Sequence, residues 1–289
     1  MRNDHLLSAC LLIIFTHGAA AGADSAANRP EEGHTGCCRH DAAAITQFHK
    51  NADRHYAQFK PREAAAELEK ILQQDPRNFE ALVKLSRAHI DIGDMIPESS
   101  QNLQEKRMEE YSAAEQYARR AVKADPNSTW GHFYVAASLG NIAMLSPVEK
   151  QIDLAEEIRR AVERAIALDP QNGFAYHAYG VWHRKMAEIG KMSRMFASVL
   201  YGRSVPGGSL EKSIDYLRKA VELNPRVIVS RLELARSYAA VQDWPSARNY
   251  LKSIQDLPVQ FSDDARHKRD AEQLLAEISD RQTSKKSTD

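Results

Sequence analysis

The sequence predicts an all-α chain of repeated helix pairs, with lengthened helices, one inserted amphipathic helix and a C-terminal capping helix. Three observations carry that expectation. One phrase recurs at helix ends: KILQQDP to Pro76, RAVKADP to Pro126, RAIALDP to Pro170 and KAVELNP to Pro225. In each, an apolar stripe runs up to an acid or amide, and the proline that follows stops the helix and starts a loop. Alanine, glutamate, leucine, lysine and arginine dominate while glycine is sparse, a balance that favours helices. Between the phrases, apolar residues return at helical rather than strand spacing.

The 289 residues hold 39 Lys plus Arg against 39 Asp plus Glu. A net charge near zero argues against nucleic-acid or membrane-surface binding by bulk electrostatics. The first element is an export signal. A short basic start precedes an apolar run from Leu6 to Phe15, and small residues allow cleavage near Ala21 or Ala23. That run is about half of what a bilayer-spanning helix needs, so no transmembrane span is expected. A transit peptide fits less well, because Asp4 is present and arginines are few. Residues 1–23 are therefore read as a signal peptide and the mature chain as periplasmic or secreted.

Residues 24–40 read as a flexible linker containing vicinal Cys37 and Cys38. His34, Cys37, Cys38 and His40 are ligand types suited to a soft metal, but their crowding matches no standard zinc spacing. The two thiols could equally pair with each other or with another chain in an oxidising compartment.

The helical domain is expected over 41–281. In the first pair Ala64, Leu68 and Ile71 lead to Pro76; in the second, Ala114, Ala118 and Ala121 lead to Pro126. The third pair has a marked helix start, with Ser146 as N-cap, Pro147 at the first position and Glu149 completing a capping box. It predicts a helix from Pro147 to Leu168. In the fourth, Ser213, Leu217 and Ala220 lead to Pro225. The fifth carries Leu234, Ala235 and Tyr238 on one helix, then Ala247, Leu251 and Ile254 on its partner. A capping helix follows from Ser262 to about Arg281, with Asp263 and Asp264 favouring the dipole of its first turn. Residues 282–289 are expected to be disordered.

This spacing resembles the tetratricopeptide repeat, a right-handed superhelix of helix pairs. Its second helix carries the pattern A-x3-F-x2-A-x4-P, which the residues ending at Pro76, Pro126 and Pro225 follow well and those ending at Pro170 follow least. The prolines lie 50, 44 and 55 residues apart, where a plain array repeats every 34. Insertions of about 16, 10 and 21 residues are implied. The first two lengthen helices. The third holds MSRMFASVLYGRSVPGGS, where Met192, Met195, Phe196, Val199 and Leu200 form an amphipathic helix ended by Gly202. It either packs as extra core or lies across the groove and closes an apolar cavity, for which a methionine-rich face is suited.

A narrower resemblance lies in WGHFYVAASLGNIAMLSPVEK through GVWHRKMA, and in FASVLYGRSVPGGSLEKSIDYL. These segments are similar to the regulator of microtubule dynamics family, over roughly Asp41 to Ser279. The resemblance implies a tetratricopeptide-like domain with lengthened helices and this insertion. It also implies links to microtubules, organelle contacts or lipid holding among members. An exported chain would not meet tubulin, so a microtubule role is implied by the family name only.

In such a superhelix the first helix of each pair lines the concave face. The groove candidates are then Tyr56, Arg87, Trp130, Phe133, His177, Val181, Arg184 and Arg236. Aromatic and apolar walls could take a chain while an arginine holds a carboxylate or phosphate. No G-x-S-x-G, H-E-x-x-H or G-x-G-x-x-G occurs, and PGGSLEKS places Glu211 where a phosphate loop needs glycine. No enzyme and no cofactor is expected. The expected function is a scaffold binding a protein or peptide in its groove. The alternatives are a carrier of a lipid or other amphiphile beneath the inserted helix, and a metal or redox role at Cys37 and Cys38.

Overall fold

Each helix-ending phrase does its work through two local interactions. The amide of Asp75, Asp125, Asp169 or Asn224 closes one last bond onto the carbonyl of Ile71, Ala121, Ala165 or Ala220, at 2.7–3.1 Å. The proline that follows has no amide to continue. The Asp75, Asp125 and Asp169 carboxylates then turn back to accept the amides of Arg77, Asn127 and Gln171 at 2.8–3.1 Å. That Asx turn reverses the chain within a few residues. Asn78 and Asn172 cap the next helices through their side-chain oxygens.

The computed structural model describes residues 41–189, 195, 197, 199, 200, 202 and 205–286. Among them it has eleven helices: α1 Ala42–Ala57, α2 Pro61–Gln74, α3 Phe79–Asp94, α4 Leu103–Ala124, α5 Thr129–Leu145, α6 Val148–Leu168, α7 Gly173–Glu188, α8 Leu210–Leu223, α9 Ile228–Ala240, α10 Trp244–Gln255 and α11 Asp264–Lys286. Consecutive helices pack as antiparallel pairs. The first helices also touch one another, α3 on α5, α5 on α7 and α7 on α9, forming one inner row. Ala64, Ala114, Ala118, Ala165, Ala220 and Ala247 are buried at the pair interfaces, where a methyl group lets backbones approach. Largely apolar α5 and largely buried α7 form the centre of the main core, flanked by smaller cores around α1–α3 and α9–α11.

Four expectations are modified. Ser146 does not cap α6; its hydroxyl donates to the Ile142 carbonyl at 2.8 Å and it ends α5, while Pro147 takes the cap position without a side-chain bond. The two caps are adjacent residues, and the hydroxyl finds the preceding turn first. The final helix begins at Asp264 and continues to Lys286, because 282–286 contains no Gly or Pro and ends in two lysines that suit a helix C-terminus. The inserted segment is helical at Met195, Ala197, Val199 and Leu200. However, Met195, Val199 and Leu200 are 53%, 80% and 75% exposed, so at these positions the helix is not packed as core. Met192 and Phe196, residues 1–40 with His34, Cys37, Cys38 and His40, and 287–289 lie outside the described residues.

The turn after the insertion has a steric cause. A Cβ at Gly208 would stand 2.1 Å from the His183 carbonyl and 2.6 Å from the Ala187 amide. VPGG therefore lies backbone to backbone on α7. Gly202 supplies a φ of 63°, which glycine adopts freely.

Candidate functional site

Ligand chemistry was expected along the concave face, and the eight groove candidates have the following surroundings. Trp130, Phe133 and Phe174 form one aromatic bed, with Trp130 edge-on to Phe133 at 5.9 Å and 87°. Phe133 is fully buried and Trp130 partly so. Tyr56 donates to the Lys84 carbonyl at 3.0 Å and lies under the Arg87 guanidinium at 4.1 Å. Arg87 also faces Asp91 at 3.5 Å. Burial pushes the Asp91 carboxyl up to about 7 despite that arginine.

Further along, His177 shares a 3.0 Å hydrogen bond with Ser230, and Val181 is buried beside it on α7. Burial lowers the His177 imidazole to about 4, so it is neutral at pH 7. Arg184 donates to Glu233 and, at 2.8 Å, to Glu188. Arg236 donates to Glu233 at 2.5 Å and to Asp270 at 3.2 Å. Burial alone would raise the Glu233 carboxyl; the Arg184 and Arg236 guanidiniums outweigh it and hold it well below the usual carboxylate range. Removing one member of such a buried pair typically costs about 3–5 kcal/mol. The three arginines expected to meet a ligand's anion thus each face an acid of the chain itself.

What covers this face is the C-terminal segment, which sequence reasoning assigned only to capping. Phe261 is buried in the main core with Ile90, Phe133 and Tyr134. Gln260, Phe261 and Ser262 share one narrow cleft with Tyr56, Arg87 and Asp91. Asp263, Asp264 and His267 are buried with it, and Arg236 reaches Asp270 on the same helix. Burial raises the Asp263 carboxyl, and it raises Asp94, although the Tyr111 hydroxyl donates to Asp94 at 2.6 Å. The spacing Asp-Asp-x-x-His is a sequence signal for this cluster, since it puts both acids on the histidine's helix face.

A roomier concavity than that cleft opens beside the covered face. It is a cleft of ≈ 630 Å³ between the α1–α2 turn, the end of α3 and the start of α4. Phe59, Ile92, Met95, Ile96 and Pro97 supply its apolar wall, and Lys60, Arg62, Lys106, Glu63, Glu109 and Glu110 its charges. Phe59 and Met95 are exposed. Glu110 pairs with Arg62 at 3.6 Å and His89 at 2.7 Å. No described helix is long and apolar enough to cross a membrane.

Comparison with known proteins adds the lineage. The profile of a family described as regulator of microtubule dynamics protein 1-3 matches residues 48–279. Regulator of microtubule dynamics protein 1 of Bos taurus is 27% identical over 223 residues, which are 75% of this chain and 69% of that protein. Regulator of microtubule dynamics protein 3 of Bos taurus is 25% identical over 67% of this chain, but only 40% of its own length is spanned. Among solved structures, a thermophilic tetratricopeptide protein of Thermus thermophilus superimposes with a TM-score of 0.57 at 15% identity, over 78% of this chain and 98% of that one. The fold is tetratricopeptide-like.

Proposed function

The chain belongs to the regulator of microtubule dynamics protein 1-3 family, and from that premise we propose that it is a non-enzymatic scaffold. Its occupant is an extended peptide segment of a partner protein, anchored by one or two apolar side chains. The ≈ 630 Å³ cleft beside α1–α4 carries this reading. It is within the size range of ligand clefts, it exposes Phe59 and Met95, and its rim bears both charge signs, which favours a peptide of mixed charge over an anion. The filled inner face supports placing the partner here. Residues 1–23 support export, and an exported chain would carry out this role away from tubulin.

Selection of a displayed random-peptide library on the chain tests the reading. Enriched peptides should share an apolar anchor and lose at least about tenfold in affinity on Met95→Asp or Phe59→Asp, as truncation of an anchor's pocket does. Enrichment unaffected by both substitutions would sink it. Exposed Met195, Val199 and Leu200 favour a second reading, contact with a lipid or other amphiphile. Native mass spectrometry showing extractable lipid on the wild type, and none on Val199→Asp/Leu200→Asp, would support that reading; a lipid-free wild type would remove it.

A further inference from the structure

The start of α11 combines burial, donor chemistry and missing partners in one place. Asp263, Asp264 and His267 are 8%, 0% and 2% exposed. Each offers a ligand atom, and these atoms lie within 4.8 Å of one another. Among the described residues, Asp263 Oδ1, Asp264 Oδ1 and both ring nitrogens of His267 have no hydrogen-bond partner. The contacts that exist fall short: His267 Nε2 stands 3.4 Å from Asp263 Oδ2, and Nδ1 stands 4.0 Å from Asp264 Oδ1. Those gaps are long for hydrogen bonds. The 3.4 Å gap matches the separation of two ligands on one ion, roughly 3.4 Å for tetrahedral coordination at about 2.0–2.2 Å, and a single ring nitrogen of His267 would face that ion.

The remaining contacts leave the inner atoms open. Asp264 Oδ2 accepts the Gln260 and Phe261 amides at 2.8 and 2.9 Å, which fixes the carboxylate and turns Oδ1 toward the histidine. Arg266 donates to Asp263 Oδ2 at 3.1 Å from a partly exposed position. A separate observation comes from α3. Asp91, 4% exposed, has its own unpartnered Oδ1 and acts electrostatically on Asp263. Asp91, Asp94, Asp263 and Asp264 thus interact here with Arg87, Arg266 and His267, a group of four acids whose charge a divalent ion would offset.

We propose that Asp263, Asp264 and His267 bind a divalent transition-metal cation, with Zn²⁺ the best match to two carboxylates and an imidazole. The three side chains leave a fourth position, open to water or to an acid of α3, where Asp91 and Asp94 both interact with Asp263. The cleft shared by Asp91 and Ser262 provides an approach for the ion. Bound there, the ion fixes the start of α11, and metal binding becomes folding free energy for the C-terminal helix.

Zinc titration of the full chain in a Cys10→Ser/Cys37→Ser/Cys38→Ser background tests this without interference from any of its three thiols. The expected result is about one zinc retained per chain after dialysis, with a raised Tm. His267→Gln should reduce affinity by more than about tenfold, and so should Asp264→Asn, which keeps the acceptor for the two amides while removing the charge. Circular dichroism checks that both variants fold. Should His267→Gln unfold, the Co²⁺ form of the Cys-free parent still decides: nitrogen and oxygen ligation without a thiolate band supports the site. No metal retained by the Cys-free chain, or equal retention by Asp264→Asn, overturns it.

Discussion

His183 is enclosed by Tyr179, Trp182 and Tyr216, stacked on the Tyr216 ring at 5.4 Å, and neither of its buried ring nitrogens has a hydrogen-bond partner among the described residues. Burial lowers its imidazole to about 4, with Lys212 and Arg159 acting in the same direction and Glu163 against them. The folded state therefore holds it neutral while an unfolded chain titrates near 6.5. Stability from this group is complete above 6.5 and declines as pH falls toward 4, because the unfolded state binds the proton first. At 1.36 kcal/mol per unit the loss is at most about 3 kcal/mol. Urea melts between pH 7 and 4.5 should show this slope in the wild type and a flatter one in His183→Phe, which keeps the ring and removes the titration. Equal slopes would mean that His183 is protonated in the fold. A sequence with eleven histidines could not single this one out; its environment comes from α8, more than 30 residues away.

Helices were the most legible level, because what makes them is local. The Asp-Pro phrases, alanine stripes and Asn caps act within a few residues of themselves, and α2, α4, α6 and α8 end where the prolines say they must. The PGG turn was legible as a break but not in purpose, since its reason is the carbonyl of His183 on another helix. Gly208→Ala would push a methyl group into two backbone atoms that cannot move aside. It should cost about 1–3 kcal/mol, as overpacked sites do. The wild type serves as the reference. Thermal melts of the pair should separate by several degrees, and identical Tm values would show that the turn can lift off α7 freely.

At the scale of the whole molecule, the inner face was misjudged for a physical reason. Periodicity tells which residues point inward, but not what the chain later lays upon them. Phe261, a neighbour of Tyr56, Arg87 and Phe133, arrives from the far end of the sequence, and Glu233 meets Arg184 across 49 positions. Phe261 is therefore the residue through which the C-terminal segment and the main core stabilise each other. Phe261→Ala removes a ring that is 4% exposed, a change that costs about 3–5 kcal/mol in a core. The cost should be uneven in space. Amide exchange should accelerate most in α11 and the 257–263 segment and least in α6 and α8, whose packing partners are unchanged. Uniform acceleration would instead mean that the covering segment and the repeats unfold as one unit, so that no ligand could reach the inner row without global unfolding.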